Sequence, residues 1–296
     1  MSNYIDLHMH SFYSDDGQYS EEELISKCND AGLKIVAIAD HNSVKANAKA
    51  KEECAKYKIE FIPAIEIDCV YEGINLHLLG YGIDYENPIF NKIGEDILKQ
   101  EFENNQKKLE LTNALGFEVS KQDMDKVSPL GSYIGEGFAE VLLNDDRYID
   151  SELLKPYREG GSRSDNPYVN FYWDYYSQGK PCYTEVKYIS LRDAIDIVHK
   201  NHGKAILAHP GNNLKGRFEI FDEMVELGLD GVEAFSSYHS MEVCMYFYKK
   251  AKQLGIYTTC GSDFHGKTKP SIYLGKNNSD DYQGEIEQNL KEMGLI

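Results

Sequence analysis

Short apolar runs alternate along this chain with polar stretches of helical periodicity. Five of the runs are typical of buried strands, and each ends at or near a histidine, aspartate or glutamate; they cover residues 4–10, 35–41, 61–66, 205–210 and 257–265. The first helical stretch follows a capping box at Ser20 and Glu23. Strands that alternate with helices of about a dozen residues predict βαβ units and a parallel sheet.

The other predicted elements extend this alternation over most of the chain. Asp68–Tyr71 and Leu76–Tyr81 flank Glu72 and Gly73, which predicts a hairpin that carries His77. Further helices are predicted at 45–57, 191–201, 218–227 and 241–254, and further strands at 204–208, 231–235 and 256–260. The fold class is therefore α/β.

The pattern changes between residues 88 and 179. A long polar helix is predicted over Lys99–Leu115, and the rest of the segment carries many charges and few β-branched runs. The segment has no Gly/Ser or Pro bias, so a linker is disfavoured. We therefore expect residues 1–87 and 180–296 to form one α/β barrel, and residues 88–179 to form a helical insertion, or lid, over its mouth.

Composition narrows the possible functions. The chain has 296 residues, 42% of them hydrophobic and 27% charged, which fits one large folded domain. The formal charge of −18 argues against a broad surface for long nucleic acids, although a small anionic substrate remains compatible with it. No apolar run reaches the roughly 18 residues that span a bilayer, and the N-terminus has no signal-like region. We expect a cytoplasmic protein whose six scattered cysteines are reduced.

Side chains at the ends of parallel strands meet at one mouth of an α/β barrel. The residues placed there are His8, His10, His41, Glu66, His209, Asp263 and His265; Asp15 and Asp16 follow the first strand in a turn, and His77 lies in the hairpin. Imidazole and carboxylate without cysteine suit Zn, Mn or Fe. Taken singly, each has a structural alternative, such as a turn cap for Asp15 or a core hydrogen bond for His77. Together they predict a metallohydrolase.

The same motifs, in the same order, resemble the PHP (polymerase and histidinol phosphatase) family of metallohydrolases. The matching segments are Asp-Leu-His-Met-His-Ser (6–11), Ser-Asp-Asp-Gly (14–17), Ala-Asp-His-Asn (39–42), Ala-Ile-Glu (64–66), His-Leu-Leu-Gly-Tyr (77–81), Leu-Ala-His-Pro (207–210) and Gly-Ser-Asp-Phe-His-Gly (261–266). The resemblance implies a distorted (β/α)7 TIM-like barrel.

The resemblance also implies a cluster of two or three divalent ions (Zn, Mn or Fe). The first ion would bind His8, His10, Glu66 and Asp263; the second Glu66, His77 and His209; and the third Asp15, His41 and His265. Asp16 is the alternative to Asp15, because the pair of aspartates before Gly17 shifts the alignment by one residue.

The implied activity is hydrolysis of a phosphate monoester, on a small metabolite or a nucleotide. A hydroxide that bridges the metals, held by Glu66, His8, His10 and Asp263, would be the nucleophile. Five further residues, each with a structural alternative, are candidate substrate contacts: Lys215, Arg217, His239, Lys267 and Lys269. Phosphodiester cleavage of short oligonucleotides and C–N bond hydrolysis of the amidohydrolase type are alternatives, as is a binding module with a decayed site.

Within the family, the hairpin and the insertion resemble the bacterial branch that acts on nucleotide phosphates and short oligoribonucleotides. That branch carries an Arg-Pro-His-like segment in the insertion, whereas the matching stretch here, Pro129–Phe138, has neither arginine nor histidine. An aromatic run at 168–176 could stack on a base or could pack the lid. The substrate is therefore left open by the sequence.

Overall fold

The computed structural model describes residues 3–296 and has mixed α/β architecture. The strands are β1 (Ile5–Met9), β2 (Ile35–Ile38), β3 (Glu60–Phe61), β4 (Ala64–Tyr71), β5 (Ile74–Tyr81), β6 (Ile189–Ser190), β7 (Lys204–Leu207), β8 (Gly231–Ser236) and β9 (Tyr257–Gly261). The helices are α1 (Glu21–Asp30), α2 (Asn47–Tyr57), α3 (Pro88–Ala114), α4 (Lys121–Val127), α5 (Gly135–Leu143), α6 (Pro167–Tyr175), α7 (Leu191–Lys200), α8 (Pro210–Asn213), α9 (Phe221–Glu226), α10 (Met241–Leu254) and α11 (Gln283–Glu292), with 3-10 turns at Asp146–Tyr148, Lys155–Tyr157 and Phe218–Ile220.

The strands form two sheets whose edges approach each other. One sheet has the order β1-β2-β3 and the other β6-β4-β5-β7-β8-β9. Isolated bridges join the sheets at Met9 with Phe264 and at His41 with Glu66. Within residues 3–296, the two hydrogen-bonded ladders are therefore connected only by single bridges at both junctions. The predicted α/β class is confirmed.

The predicted hairpin is present and reverses one strand within the larger sheet. β5 pairs antiparallel with both β4 and β7, whereas β7, β8 and β9 pair in parallel. The turn uses Glu72 and Gly73, whose φ angles of 47° and 74° give the left-handed backbone that two-residue hairpins favour. The reversal places His77 within a strand, directly opposite Asp68.

The run 61–66, predicted as one strand that ends in Glu66, belongs to two sheets. Phe61 ends β3, which pairs with β2, and Ala64 begins β4, which pairs with β5. Pro63 lies between them and lacks the N–H that a continuous ladder would need. Glu66 is therefore near the start of a strand, and the prediction that it ends one was wrong.

The segment between β5 and β6 contains α3 to α6 and has no strand among its described residues. It has a hydrophobic core of its own, which includes Leu109, Met124, Phe138 and Phe171 and is distinct from the core under the sheets. Its first helix starts at Pro88, eleven residues before the predicted Lys99, because the Asn87 side chain caps it. An independent apolar core supports the division at 88–179, which stays a prediction.

No helix in residues 3–296 has the length and apolar character needed to cross a membrane. All six cysteines are buried and unpaired, as the scattered spacing predicted. Burial in apolar surroundings raises the pKa of the Cys28 and Cys69 thiols well above the usual value. These thiols act as small apolar side chains in the core.

Candidate metal centre

Strand geometry places three acidic and imidazole side chains on one face of the β4–β5 hairpin. Glu66 and Asp68 are two residues apart on β4, so they point to the same face. His77 lies opposite Asp68 in the antiparallel ladder and therefore shares that face. The Glu66 carboxylate is fully buried and lies at the centre of the histidine cluster.

Both histidines of the first strand approach Glu66 and Asp263. His8 Nε2 lies 3.1 Å from Glu66 Oε2 and 3.3 Å from Asp263 Oδ1. His10 Nε2 lies 3.3 Å from the same glutamate oxygen and 3.0 Å from the same aspartate oxygen. Four donor atoms, from the four residues that the resemblance implies for the first ion, thus lie close together around one point.

The other carboxylate oxygen of Glu66 faces a different pair of histidines. His77 Nδ1 lies 3.0 Å from Glu66 Oε1, and His209 Nε2 lies 3.2 Å from it. His41 Nδ1 is 3.2 Å from Glu66 Oε2. The two oxygens of Glu66 therefore serve two histidine groups, which is the arrangement that a bridging carboxylate requires.

A third group of donors consists of His10, Asp16, His41 and His265. Asp16 Oδ2 lies 3.0 Å from His265 Nε2. Asp15 turns away from this group and accepts a hydrogen bond from Ser132 of the insertion. Of the two aspartates that the sequence left open, the structure brings Asp16 to the cluster and turns Asp15 towards Ser132.

The buried donor atoms at the first position lack hydrogen-bond partners within residues 3–296. These atoms are His8 Nε2, His10 Nε2, Glu66 Oε2 and Asp263 Oδ1. Buried polar atoms are almost always hydrogen-bonded, so four that converge indicate a group that binds them together. Donors about 2.0–2.1 Å from a tetrahedral ion are about 3.3 Å apart, close to the 3.0–3.3 Å separations found here. The donor set fits a divalent metal.

Electrostatics hold the key carboxylates in their charged, metal-binding form. Burial opposes ionisation of Glu66, but the neighbouring imidazoles of His8, His77 and His41 outweigh it and hold the pKa of Glu66 well below the usual value. Burial likewise opposes ionisation of Asp16, but the nearby His265 outweighs it and lowers the pKa of Asp16. Burial instead raises the pKa of Asp15 to about 6.

Two carboxylates that the sequence reasoning missed position the ligand histidines. Glu233, on β8, accepts a hydrogen bond from His8 Nδ1 at 3.0 Å and from the backbone N–H of His209 at 3.0 Å. Asp68 Oδ1 lies 3.5 Å from His41 Nδ1 and 3.4 Å from His77 Nε2. Outer carboxylates of this kind fix the ring orientation of metal-bound histidines. Glu233 could have been found from the sequence, because it is the one acidic residue inside the apolar strand segment Gly231-Val-Glu-Ala-Phe.

Backbone conformation is unusual at the ends of the strands that carry the cluster. His209, Asp263 and Asn42 have φ angles of 23°, 57° and 51°, in the left-handed region that residues other than glycine rarely adopt. Such residues cost about 1–3 kcal/mol each, and they cluster at functional sites. The surrounding fold therefore holds these side chains in directions that relaxed strand ends would not give.

A cavity of about 590 Å³ opens from the cluster towards the insertion. It is lined on one side by His41, Asp68 and His77, and on the other by Glu136 and Trp173 of the segment 88–179. A second cavity of about 310 Å³ shares His77 and Trp173 with it and is also lined by Lys215 and Arg217. Residues of the insertion thus line both cavities, and aromatic side chains form part of the walls.

The five predicted substrate contacts lie in different places. Lys215 and Arg217 line the smaller cavity, with Lys215 Nζ 6.0 Å from the centre of the Trp173 ring. Lys269 is buried within the cluster, where Nζ lies 2.8 Å from Asp263 Oδ2. Lys267 is partly exposed and pairs with Glu140 of the insertion at 2.7 Å.

His239 does not line either cavity, although the sequence put it near the mouth. It is buried, its Nδ1 lies 2.9 Å from the Ala234 carbonyl, and its Nε2 accepts from the Gly211 N–H at 3.0 Å. Both ring nitrogens are occupied by backbone groups. The prediction of a substrate contact at His239 therefore finds no support in its position.

Comparison with known families agrees with this geometry. The model of the PHP domain matches residues 6–166, a span that includes Glu66 and the first four histidines of the cluster. The chain belongs to the PHP domain family. The resemblance inferred from the strand-end motifs is confirmed.

Three curated relatives of this PHP protein match over most of their length. The phosphoribosyl 1,2-cyclic phosphate 1,2-diphosphodiesterase of Eggerthella lenta is 25% identical, over 88% of this chain and 94% of the relative. The 5′-3′ exoribonuclease of Escherichia coli is 27% identical (92% and 88%), and the 3′,5′-nucleoside bisphosphate phosphatase of Chromobacterium violaceum is 26% identical (88% and 87%).

A solved structure from Bifidobacterium adolescentis, described as a metal-dependent phosphoesterase, has the same fold. It superposes with a TM-score of 0.76 at 24% identity, over 96% of each chain. With the family match and the phosphoesterase relatives, this PHP protein is a metal-dependent phosphoesterase. It is therefore an enzyme, as the sequence predicted.

Proposed function

We propose that this enzyme hydrolyses a phosphate monoester of a small metabolite or nucleotide. The observation that carries the proposal is a pair of neighbouring cavities that share His77 and Trp173: one is lined by residues of the histidine cluster, and the other by Lys215 and Arg217. The first can place a phosphoryl group at the cluster, and the second offers an aromatic face and two cations to the rest of the substrate. The surrounding strands are taken to form the distorted (β/α)7 barrel of the family.

The ligand assignment follows the three donor groups and is part of the proposal. His8, His10, Glu66 and Asp263 would hold one ion; Glu66, His77 and His209 a second; and Asp16, His41 and His265 form the third group. The ions would be Zn, Mn or Fe, because the donors are imidazole nitrogens and carboxylate oxygens. When bound, such ions supply a water of lowered pKa and neutralise charge on the phosphoryl oxygens.

The side chains of the chain itself prepare this site. Glu233 holds the His8 ring through Nδ1, so that Nε2 points to the cluster. Lys269 brings a buried ammonium group to the edge of the cluster, where it can attract a phosphoryl oxygen. Glu136 and Trp173 of the insertion line the side of the cavity that faces the cluster.

The cations that face the smaller cavity favour an anionic substrate of limited size. Lys215 and Arg217 are two basic residues in a protein of formal charge −18, so they attract a second phosphate or a carboxylate locally without creating a surface for long nucleic acids. Two of the named relatives act on nucleotides or RNA, which supports a nucleotide substrate.

Cleavage of a phosphodiester in a short oligonucleotide is the second candidate. The relatives named as a diphosphodiesterase and an exoribonuclease favour it. Both candidates use the same cluster, so substrate tests have to separate them.

A substrate screen with matched proteins tests the proposal. The enzyme reconstituted with Mn²⁺ or Zn²⁺ would be assayed on nucleoside monophosphates, a nucleoside 3′,5′-bisphosphate, a cyclic phosphate, a trinucleotide and simple amides. Glu66→Gln serves as the inactive control, and Glu52→Gln, at an exposed position of α2, as the active one. We expect release of phosphate from a monoester, loss of activity with chelator, and its return with metal.

Preferred cleavage of the trinucleotide or the cyclic phosphate would transfer the assignment to the diester candidate. Activity that persists in metal-free protein, or hydrolysis confined to amides, would contradict the proposal.

A further inference from the structure

Glu136 is a buried acidic residue of the insertion that lines the larger cavity. It is the second residue of α5, and only 7% of its surface is exposed. Within residues 3–296 its carboxyl group forms no hydrogen bond or ion pair with another side chain, whereas Glu101, which lines the same cavity, pairs with Lys108. A buried polar group without a partner is costly, so we expect a ligand in the cavity to satisfy it.

Helix capping does not account for an acid at this position. An acidic residue in the first turn of a helix usually faces water, where it complements the helix dipole or completes a cap. Glu23 of α1 is such a residue, because it is exposed and forms the capping box with Ser20. α5 instead begins after Ile134, whose side chain makes no capping bond, and Glu136 is buried against the cavity. The position therefore has a cost that the helix itself does not require.

Neighbouring contacts place Glu136 near both the donor cluster and the aromatic wall of the cavity. Towards the cluster, Ser132 in the loop before α5 is hydrogen-bonded to Asp15. Towards the wall, Gly135 packs so closely on two tyrosine rings that a Cβ there would lie 2.9 Å from Tyr172 Cδ2. Burial, and then the charge of Glu136, raise the pKa of Tyr172, which lines the same cavity. A ligand that extends from the cluster to the aromatic rings would therefore pass the Glu136 carboxyl group.

A ribonucleotide has groups that match these three parts of the cavity. Its phosphate would lie at the donor cluster, its base on the aromatic rings, and its ribose hydroxyls between them. A carboxyl oxygen is a suitable partner for ribose hydroxyls, and acidic residues bind ribose in this way in dinucleotide-binding folds. A carboxyl group accepts a hydrogen bond from a hydroxyl whether it is ionised or protonated, so the match does not depend on the protonation state of Glu136.

We propose that Glu136 binds the ribose hydroxyls of a ribonucleotide substrate whose scissile phosphate lies at the donor cluster. The base then lies against Tyr172 and Trp173. The inference rests on the proposed phosphoesterase function and narrows its substrate class from small phosphate esters to ribonucleotides. A substrate without the ribose hydroxyls leaves the buried carboxyl group unpaired and is therefore discriminated against.

Matched substrates and matched variants test this inference. For the Mn²⁺-loaded enzyme, kcat/KM would be measured with adenosine 5′-monophosphate and with its 2′,3′-dideoxy analogue, in the wild type, Glu136→Ala and Glu136→Gln. Glu110→Ala, on the exposed side of α3, is the control. A ribo- and a deoxyribo-trinucleotide give the same comparison for a diester substrate, and circular dichroism verifies folding.

We expect the wild type and Glu110→Ala to prefer the ribonucleotide by at least about tenfold, as for the loss of a hydrogen bond to a buried acidic group. In Glu136→Ala the preference should disappear, because kcat/KM falls for the ribonucleotide and not for the dideoxy analogue. Glu136→Gln keeps an acceptor oxygen and should retain part of the preference.

Equal kcat/KM for the two nucleotides in the wild type, or equal losses for both in Glu136→Ala, would overturn the inference while leaving the phosphoesterase assignment intact. Activity confined to phosphate esters without a ribose would have the same meaning. Absence of activity on every phosphate ester would overturn both the inference and the proposed function.

Discussion

Asp68 lies directly opposite His77 in the β4–β5 ladder, with Oδ1 3.4 Å from His77 Nε2 and 3.5 Å from His41 Nδ1. One carboxylate oxygen thus lies near two histidines of the cluster, and His41 Nδ1 is also 3.2 Å from Glu66 Oε2. The Asn42 side chain fixes the Asp68 carboxylate by donating to Oδ2 at 2.8 Å and accepting from the Asp68 backbone N–H at 3.0 Å. Asp68 therefore contacts both histidines from a position that Asn42 holds fixed.

Asp68→Asn should weaken metal binding by about 10–100-fold, because neutral amides orient and polarise imidazoles less well than carboxylates do. The measurement is the Mn²⁺ dissociation constant from competition with a fluorescent chelator. Asp30→Asn, at an exposed position at the end of α1, is the control. Equal affinities for Asp68→Asn and wild type would show that Asp68 has no part in orienting the histidines.

The adjacent aspartates should respond differently to the same substitution. Asp16→Asn removes the carboxylate beside His265 and should lower kcat by about 10–100-fold. Asp15→Asn changes only the contact with Ser132 of the insertion and should act mainly on KM, by less than about tenfold. Steady-state kinetics of the pair decide the assignment. A larger loss of kcat in Asp15→Asn than in Asp16→Asn would instead assign the role in the cluster to Asp15.

Gly261 is required by the close approach of β9 to His8. A Cβ there would lie 2.2 Å from His8 Cβ and 2.4 Å from Glu233 Oε1. Gly261→Ala should lower stability by about 1–3 kcal/mol and weaken metal binding, because the clash moves two positioning groups at once. Gly284→Ala is the matched control, since a Cβ in α11 meets nothing within 4 Å and should raise stability by up to about 1 kcal/mol. Thermal unfolding measures both, and equal melting temperatures would contradict the geometry.

Glu136 should make the metal-free protein less stable at alkaline pH. Burial, and then the nearby Asp16, raise the pKa of Glu136 to about 8. A carboxyl group whose pKa is higher in the folded state favours folding while protonated, so its effect is fully favourable below about pH 4.5 and is lost as the pH rises to about 8. Glu136→Gln removes this dependence.

We therefore expect metal-free Glu136→Gln to exceed wild type in stability at pH 9 by on the order of 2 kcal/mol, with a smaller difference at pH 5. Denaturant unfolding at both pH values measures it. Glu110→Gln, on the exposed side of α3, controls for general loss of surface charge. A difference that does not change between the two pH values would rule out a raised pKa at Glu136.

The sequence predicted the parts of the site that follow local patterns. Two-residue periodicity placed His8 and His10 on one face, and the Glu72-Gly73 turn predicted the hairpin that carries His77. The prediction of a single strand over 61–66 failed because hydrophobic periodicity does not reveal that the chain passes from one sheet to the other at Pro63. The start of α3 was predictable from Asn87 and Pro88, but the predicted helix began at the later polar stretch.

Other features depend on tertiary contacts that no local pattern encodes. Whether Asp15 or Asp16 faces His265 depends on the path of a loop that the insertion also contacts, through Ser132. The sequence placed His239 near the mouth of the barrel, but both of its ring nitrogens are hydrogen-bonded to the backbone, at Ala234 and Gly211. The burial of Lys269 among carboxylates follows from the return of the loop after β9, which sequence alone does not fix.

The separate apolar core of the insertion has an evolutionary consequence. Residues such as Met124 and Phe138 stabilise the helices over the cavity independently of the strands that carry the metal ligands. Substitutions can therefore accumulate on the cavity-facing side of the insertion, as at Glu136 and Trp173, without weakening the strands that carry the metal ligands. Descendants of one ancestral hydrolase could in this way acquire new substrates by drift in a semi-independent module while the chemistry stayed under strict selection.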